Sequence, residues 1–305
     1  MQLVLSIIIP CKNEESSILE FYAEANKFIP AESEFIFIDD GSTDNTAEVM
    51  KNLSKKDNRV RYIILSKNFG KEAAMLAGLS KAKGDFLAIM DADLQDPPDL
   101  IPQMLKITQS GEADCIATRR VSRKGEPIIR SFFAYLFYKI MRKISDINIV
   151  DGARDFRFMS RKYANAILLL EERTRFSKGI FPWIGFKTKW FEYENAKRIS
   201  GESKWSFGKL FLYSLDGIVA FSARPLAVAS IIGILMFLAS CLSIIFIVVQ
   251  KIIYGNPVSG WASSSCIILF CSGIQLLTIG ILGQYLAKIY TEVKARPHFI
   301  VSEEN

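Results

Sequence analysis

The first part of the chain alternates short apolar runs with segments of helical periodicity. The apolar runs, rich in Val, Ile and Phe, are LVLSIII, EFIFID, VRYIIL, DFLAIM and DCIA, all before residue 120. Helical spacing of apolar residues lies between them, near residues 16–28, 43–53, 71–81 and 99–108. Strands that alternate with helices form parallel sheets covered on both faces, so the pattern predicts an α/β fold with a mainly parallel sheet.

Towards the C-terminus the pattern changes to two long apolar runs. Residues 226–249 form a run of 24 residues without a charge, enough to cross the roughly 30 Å hydrocarbon core of a bilayer. A second run extends from about residue 264 to 286. A pair of buried core helices is the alternative, but charge-free runs of this length are rare in soluble domains. Because neither run contains Asp, Glu, Lys or Arg, the sequence predicts anchorage rather than transport.

The distribution of cations predicts how the chain is oriented in the membrane. One cation, Lys251, lies between the two runs. The cations shortly before the pair are Lys204, Lys209 and Arg224, and those after it are Lys288, Lys294 and Arg296. By the positive-inside rule, both termini and the folded domain face the cytoplasm. The chain is therefore expected to cross a membrane more than once.

Two further segments are candidates for helices that lie in the membrane interface. Residues 127–145 place Phe, Leu and Ile on one helical arc with Arg and Lys on its flanks, a pattern typical of interfacial helices. A buried core helix would show the same arc and remains an alternative. Residues 204–225 could form a second interfacial segment.

Composition excludes several classes of enzyme. The 305 residues include five cysteines without a CxxC pair and one histidine, His298, so a zinc enzyme or a Ser-His-Asp hydrolase is hard to build. The net charge of +6 is modest, and the cations lie beside membrane-like segments, so nucleic-acid binding is not expected. The first 15 residues have a short apolar run without a basic leader, which favours a first strand over a signal peptide.

Three polar clusters follow predicted strands. They are PCKNEE at residues 10–15, DDGSTDNT at 39–46 and DADLQD at 91–96. Each alone could be a turn, a helix N-cap or an acidic surface loop. Because ligands of parallel α/β sheets bind beyond the carboxyl ends of the strands, the three together predict one common site.

The third cluster has the chemistry of a metal site. Asp91 and Asp93 are two residues apart, and their carboxylates could share Mg²⁺ or Mn²⁺, with Gln95 as an additional ligand. Such an ion would bridge the oxygens of a diphosphate and neutralise the charge that develops when it leaves. A metal ion and a nucleotide diphosphate are therefore the predicted ligands.

With these clusters the sequence resembles glycosyltransferase family 2, whose nucleotide-sugar domain has the GT-A fold. The motifs that carry the resemblance are PCKNE, the acidic pair with GSTD, SKNFGKEAAMLAGL at residues 66–79, and DADLQDPP. DFRFMSR at 155–161, RISGESKWS at 198–206 and the two apolar runs are similar to the polyprenyl-phosphate branch. That branch includes bacterial undecaprenyl-phosphate (bactoprenol) glucosyltransferases of the O-antigen-modifying type and dolichol-phosphate mannose synthase.

The resemblance implies roles for individual residues. The residues implied at the nucleotide sugar are Pro10, Asn13, Glu14, Asp39, Asp40, Asp91, Gln95 and Arg119, with Arg120 as an alternative to Arg119. The residues implied in catalysis are Asp93, Asp155, Arg198 and Lys204. The residues implied at the acceptor phosphate are Arg154, Arg157, Arg198 and Lys204.

The implied reaction is inverting, metal-dependent transfer of a hexose, with glucose from UDP-glucose as first choice, to undecaprenyl phosphate. UDP-N-acetylglucosamine or another nucleotide sugar is the alternative donor, and a non-catalytic membrane scaffold or transporter with a sugar-nucleotide-binding domain is the alternative class. Asp155 could act as a base or orient a ligand, and the adjacent Arg154, which would lower the pKa of Asp155, favours orientation.

The expected organisation has five parts. They are a nucleotide-sugar-binding core at 1–125, an acceptor-side region at 126–224, transmembrane helices at 225–250 and 263–287, and a cytoplasmic tail at 288–305. Gly280 and Gly283 leave helix surfaces available for packing in a homo-oligomer. A flippase and a further glycosyltransferase are the expected downstream partners.

Overall fold

The computed structural model describes residues 4–120, 152–193, 224–254 and 260–305, together with Lys139, Val150, Val219 and Ser222. The predicted interfacial segments, 127–145 and 204–225, lie outside the described residues except for these isolated positions and the last two residues of the second segment.

The described residues form a sheet of eight strands. In chain order the strands are β1 (Leu5–Cys11), β2 (Ser33–Asp39), β3 (Val60–Leu65), β4 (Phe86–Ile89), β5 (Cys115–Arg120), β6 (Ala153–Ser160), β7 (Thr188–Tyr193) and β8 (Val301–Glu304). Their order across the sheet is β7-β5-β6-β4-β1-β2-β3-β8.

The centre of the sheet is parallel. Strand β1 pairs in parallel with β2 and β4, and β2 pairs in parallel with β3. On the far side of β4, β6 pairs antiparallel with both β4 and β5, and β5 pairs in parallel with β7. The predicted α/β fold with a mainly parallel sheet is confirmed, although the sequence pattern did not indicate β6, β7 and β8.

Helices cover both faces of the sheet. They are α1 (Ile18–Ala25), α2 (Thr46–Lys56), α3 (Lys71–Lys81), α4 (Ile101–Gln109, after a 3₁₀ turn at Pro98–Leu100), α5 (Arg161–Leu168) and α6 (Ser177–Trp183). The core on one face contains residues of α1, α2 and α4, and the core on the other contains residues of α3, α5 and α6.

Close packing holds α3 against the sheet. A Cβ at Gly78 would lie 2.4 Å from Cγ2 of Ile8 and 2.8 Å from Cδ1 of Ile38, so only glycine allows this approach. Residues 73–79 of α3 are all buried. The helix is therefore held under β1 and β2, and its first residue, Lys71, lies near the carboxyl ends of the strands.

Two long helices follow, α7 (Arg224–Tyr254, 31 residues) and α8 (Trp261–Lys294, 34 residues). Their apolar parts, Arg224–Gln250 and Ile267–Lys294, are long and apolar enough to cross a membrane, and the most apolar stretch of each is unburied. Large apolar side chains such as Phe237, Phe246 and Leu269 are more than half exposed. The two predicted apolar helices are thus present.

The tail after α8 returns to the sheet. Strand β8 pairs antiparallel with β3, with Ile63 opposite Glu304 and Leu65 opposite Val301. Lys81 and Glu304 form an ion pair at 2.7 Å. The domain boundaries stay a prediction, but the sheet includes strands from residues 153–160, 188–193 and 301–304 as well as from the first 125 residues.

Candidate active site

The site lies where the direction of strand order reverses. From β1 the chain proceeds through β2 to β3 on one side, whereas β4 lies on the other side of β1. In open α/β sheets, such a switch point opens a crevice at the carboxyl ends of the two central strands. The residues after Cys11 and after Ile89 therefore face one crevice, which is where two of the three polar clusters lie.

The loops after β1 and β2 are joined to each other by hydrogen bonds. Asn13, in the left-handed region with φ of 53°, donates its N–H to Oγ of Ser42 at 2.9 Å and accepts the N–H of Thr43 at 2.8 Å. Glu14 donates its N–H to Oγ1 of Thr46 at 2.8 Å. With Cys11 and Asp39 adjacent in register, the structure brings together Pro10, Asn13, Glu14, Asp39 and Asp40.

Asp39 and Asp40 shape this edge by binding backbone. Asp39 accepts the N–H of Ser42 at 3.0 Å. Asp40 accepts the N–H of Phe69 at 2.7 Å and the N–H of Gly70 at 3.0 Å. Burial raises the pKa of Asp40, and these two N–H donors oppose that rise. The carboxylate of Asp40 thus fixes the loop that leads into α3.

Gly41 allows the β2 loop to approach the same segment. Its φ is +63°, and a Cβ there would lie 2.5 Å from the backbone nitrogen of Asn68. Only glycine meets both conditions. The contact adds a second restraint on the residues that precede Lys71.

Lys71 lies between two carboxylates of the crevice. Its ammonium group is 2.7 Å from Oδ1 of Asp91 and 2.6 Å from Oδ2 of Asp155. The three side chains are partly exposed, at 39% for Lys71, 28% for Asp91 and 24% for Asp155. One ammonium therefore holds the end of β4 and the start of β6 together at the open edge of the sheet.

The contact determines the protonation of Asp155. Burial raises the pKa of this carboxyl, but Lys71, with Lys178 and Arg157, outweighs burial and lowers the pKa below its usual range. Burial lowers the pKa of Lys71, and Asp155 and Asp91 reverse that effect and raise it. Lys71 thus keeps Asp155 ionised. From the sequence, Arg154 was expected to lower the pKa of Asp155, but Arg154 makes its polar contacts elsewhere.

Arg154 binds the acidic loop after β4. Its guanidinium donates to Oε1 of Gln95 at 3.0 Å, and its Nε is 3.5 Å from Oδ1 of the buried Asp96. The hydroxyl of Tyr193 also donates to Asp96. Burial, followed by the charge of Asp91, raises the pKa of Asp96 to about 6, while Arg154 opposes the rise.

The remaining members of the acidic loop fit a divalent cation. Asp93 lies partly exposed and accepts the N–H of Gln95 at 3.1 Å. Among the described residues, no three His, Cys, Asp or Glu side chains lie close enough to hold a metal together. Mg²⁺ in phosphate-binding sites commonly takes one or two carboxylates and completes its shell with phosphate and water. Two carboxylates, Asp91 and Asp93, are a suitable set for that purpose.

The predicted arginines do not form one cluster. Arg157 is buried, with its guanidinium carbon 4.0 Å from the centre of the Phe181 ring and 5.6 Å from that of Trp190. Arg119 forms an ion pair with Glu192. The structure therefore does not bring Arg157 or Arg119 to the contacts of Arg154 at Gln95 and Asp96. Arg198 and Lys204, and the side chain of Arg120, lie outside the described residues.

Three residues of the site, Lys71, Asp96 and Tyr193, have roles that the local sequence pattern does not predict. The partners of Lys71 are 20 and 84 residues away in the chain, and Tyr193 is 97 residues from Asp96. A signal for Lys71 was nevertheless present, because it follows Gly70 at the start of a predicted helix within the motif at residues 66–79.

Comparison with known proteins identifies the family. The glycosyl transferase family 2 profile matches residues 6–168. The putative glycosyltransferase CsbB of Bacillus subtilis (strain 168) is 42% identical, over 99% of this chain and 92% of that protein. The SfII prophage-derived bactoprenol glucosyl transferase of Shigella flexneri is 40% identical, over 99% of this chain and 98% of that protein.

A solved structure, glucosyl-3-phosphoglycerate synthase from Mycobacterium tuberculosis in complex with Mn²⁺, UDP-glucose and phosphoglyceric acid, is 16% identical with a TM-score of 0.47. The similarity covers 71% of this chain and 77% of that one. From the profile match and the near full-length relatives, this chain belongs to glycosyltransferase family 2, and it is a glycosyltransferase with an α/β fold of the GT-A type.

Proposed function

We propose that this chain transfers glucose from UDP-glucose to undecaprenyl phosphate, with inversion at the sugar, on the cytoplasmic face of the bacterial inner membrane. The observation that carries the proposal is the 40% identity to a bactoprenol glucosyl transferase over 99% of this chain. That similarity extends through the catalytic sheet and both apolar helices. The product would be a polyprenyl-phosphate sugar for later cell-envelope glycosylation, handled by a flippase and a second glycosyltransferase.

The donor would bind in the crevice at the switch point. Pro10, Asn13 and Glu14 line its β1 side, and Asp39 and Asp40 support that side through the backbone contacts of Ser42 and Phe69. A base and ribose placed there would direct the diphosphate towards the loop after β4. We assign this side of the crevice to the nucleoside.

The diphosphate would lie at the acidic loop. Asp91 and Asp93, with Gln95, are the residues that would hold Mg²⁺ or Mn²⁺ there, and the ion when bound would neutralise charge on the departing UDP. Arg154 orients Gln95 through the bond at 3.0 Å. Lys71 keeps Asp91 and Asp155 close together despite their like charges.

Asp155 would orient ligands rather than accept a proton. Its pKa is lowered by the contact with Lys71, after burial is overcome, and a weakly basic carboxylate is a poor general base. The acceptor phosphate is already an anion, so its attack on the sugar needs no proton removal. Positioning and electrostatic stabilisation would supply most of the rate acceleration. Arg198 and Lys204 are proposed to hold the acceptor phosphate, with Arg154 next to the donor side.

Transfer to a defined lipid tests the proposal. Purified protein in detergent receives undecaprenyl phosphate, Mg²⁺ or Mn²⁺, and one of a panel of labelled nucleotide sugars, and label in extracted lipid is measured. We expect label from UDP-glucose, and a loss of about a hundredfold or more in Asp93→Asn. Asp99→Asn, which changes an exposed carboxylate of the 3₁₀ turn that follows this loop, is the matched control and should retain activity.

The panel also separates the alternatives. Label from UDP-N-acetylglucosamine and none from UDP-glucose would identify N-acetylglucosamine as the transferred sugar and would leave the assigned acceptor unchanged. Hydrolysis of every donor without labelled lipid, with either metal, would contradict the polyprenyl acceptor. Transfer of label that continues after a chelator has removed Mg²⁺ and Mn²⁺ would contradict the metal assignment.

A further inference from the structure

Apart from the crevice at the switch point, a cavity lies where the end of α8 meets the catalytic part of the molecule. Its volume is about 310 Å³, and it is lined by Arg173, Tyr290, Lys294, Arg296 and His298, among others. Arg173 belongs to the connection between α5 and α6, whereas the other four belong to α8 and the residues that follow it. None of the candidate active-site residues that the structure describes lines this cavity.

The cavity has three cations that no carboxylate neutralises by a direct contact. Within the described part of the chain, Arg173, Lys294 and Arg296 form no ion pair. The ammonium of Lys294 is 3.3 Å from the hydroxyl of Tyr290 and 5.1 Å from the centre of its ring. The carboxylate of Glu292 is nearby, but it accepts the backbone N–H of Arg173 at 2.8 Å. The cations therefore remain available to an anionic ligand.

The pKa of His298 is affected by positive charges around the same cavity. It is the one histidine of the sequence, and its pKa is lowered by burial and then by the charges of Arg173 and Arg175. Glu292 and Glu171 act in the opposite direction without reversing the shift. The wall of the cavity thus combines fixed positive charge with an imidazole whose charged form is disfavoured.

The depth of the cavity relative to a bilayer follows from the sequence of α8. Lys288 is the first charged residue of α8, which begins at Trp261. Lys294 lies six residues further along the helix, about 9 Å along its axis. The headgroup layer on one side of a bilayer is roughly 5 to 8 Å thick. A helix that crosses with Lys288 at the hydrocarbon boundary places Tyr290 about 3 Å and Lys294 about 9 Å beyond that boundary. The wall of the cavity therefore extends through the headgroup layer, where the lipid phosphates lie.

We propose that this cavity binds the phosphate headgroup of an anionic phospholipid and so holds the catalytic part of the molecule against the membrane surface. The proposal rests on the membrane location given under the proposed function. A polyprenyl phosphate carries the same phosphate chemistry. We assign the cavity to a phospholipid because an acceptor must reach the transferred sugar, and the cavity shares no lining residue with the Asp91 site.

Lipid binding to the detergent-purified full chain tests this assignment. Native mass spectrometry would measure retention of phosphatidylglycerol and of phosphatidylcholine with identical acyl chains. The wild type should prefer phosphatidylglycerol, and Arg173→Gln with Arg296→Gln should weaken that preference about fivefold for each cation removed. The matched control is Lys55→Gln with Lys56→Gln, which removes two exposed cations of α2 that do not line the cavity. It should keep the preference.

Three results would overturn the proposal. The first is equal preference for phosphatidylglycerol in the wild type and the Arg173/Arg296 variant. The second is an equal loss in the control, which would indicate surface charge in general. The third is displacement of phosphatidylglycerol by undecaprenyl phosphate at equal concentration, which would indicate the acceptor. A carbonate wash of the membranes separates this test from the proposed location, because protein released by the wash would contradict membrane integration itself.

Discussion

Lys71 joins two carboxylates that come from different strands of the sheet. Its ammonium group contacts both Asp91 and Asp155, and it is held in place because Asp40 binds the backbone of Phe69 and Gly70 just before it. Two carboxylates so close together repel each other unless a cation lies between them. The residue is therefore best understood as a positioning residue for the diphosphate site.

Replacement of Lys71 by Met should lower kcat about a hundredfold, because Asp91 and Asp155 would move apart or share a proton. Steady-state kinetics with varied donor and varied metal measures the effect. Lys67→Met, which removes an exposed cation of the loop before α3, is the control and should behave as the wild type. Unchanged kcat in Lys71→Met, with normal dependence on metal concentration, would show that the carboxylates need no ammonium partner.

Among the elements, the last strand links the end of α8 to the edge of the catalytic sheet. Strand β8 pairs with β3, Glu303 binds Lys51 at 2.7 Å, and Asn305 accepts the N–H of Tyr62 at 2.7 Å. Val301 packs against the core that contains α3. The strand therefore covers an edge of the sheet that would otherwise expose unpaired backbone groups.

Deletion of residues 301–305 should lower the free energy of unfolding by about 2 to 4 kcal/mol, from lost hydrogen bonds and the lost burial of Val301. Thermal unfolding in detergent measures the change. Glu303→Gln with Glu304→Gln keeps the strand and its backbone pairing, so this variant should lose much less. Equal unfolding temperatures for the wild type and the deletion would show that β8 adds nothing to the stability of the sheet.

Local sequence pattern identified some elements and missed others for a physical reason. Strands β1, β2 and β4 contain apolar runs because both of their faces are almost fully buried. Strand β3 is only partly buried, but it also ends in an apolar run. Strand β6 instead mixes Arg154, Asp155 and Arg157 with two phenylalanines, and β8 has the polar sequence VSEE. Both are strands because of partners distant in the chain, which a local pattern does not contain.

The same distinction applies to the candidate site. The loops after β1, β2 and β4 could be predicted, because the carboxyl ends of parallel strands share one edge. The placement of Arg154 and Arg157 on opposite faces of β6 could not be predicted from the sequence. In a strand, residues one apart lie on opposite faces, so Arg154 and Arg157, three apart, also face opposite ways, which is apparent only once β6 is known to be a strand.

On the scale of the whole molecule, the pairing of β8 constrains how the chain can cross a membrane. Strands β3 and β8 pair in one sheet, so the residues before α7 that form the sheet and the residues after α8 must lie on the same side of a bilayer. The number of crossings between them is therefore even. With two helices of sufficient length, the simplest arrangement is that α7 and α8 each cross once.

We predict from the positive-inside rule that the common side is the cytoplasm, because Lys288, Lys294 and Arg296 follow the pair of helices and Lys251 is the one cation near the connection between them. Green fluorescent protein fused after Asn305 should fluoresce, and alkaline phosphatase inserted after Pro257 should be active, since these reporters work on the cytoplasmic and external sides respectively. Phosphatase fused after Asn305 is the control and should be inactive. An active control fusion together with a dark fluorescent fusion would mean that the C-terminus is external. That result would require either an external catalytic domain or an odd number of crossings. An odd number is incompatible with the pairing of β8 and β3 in one chain.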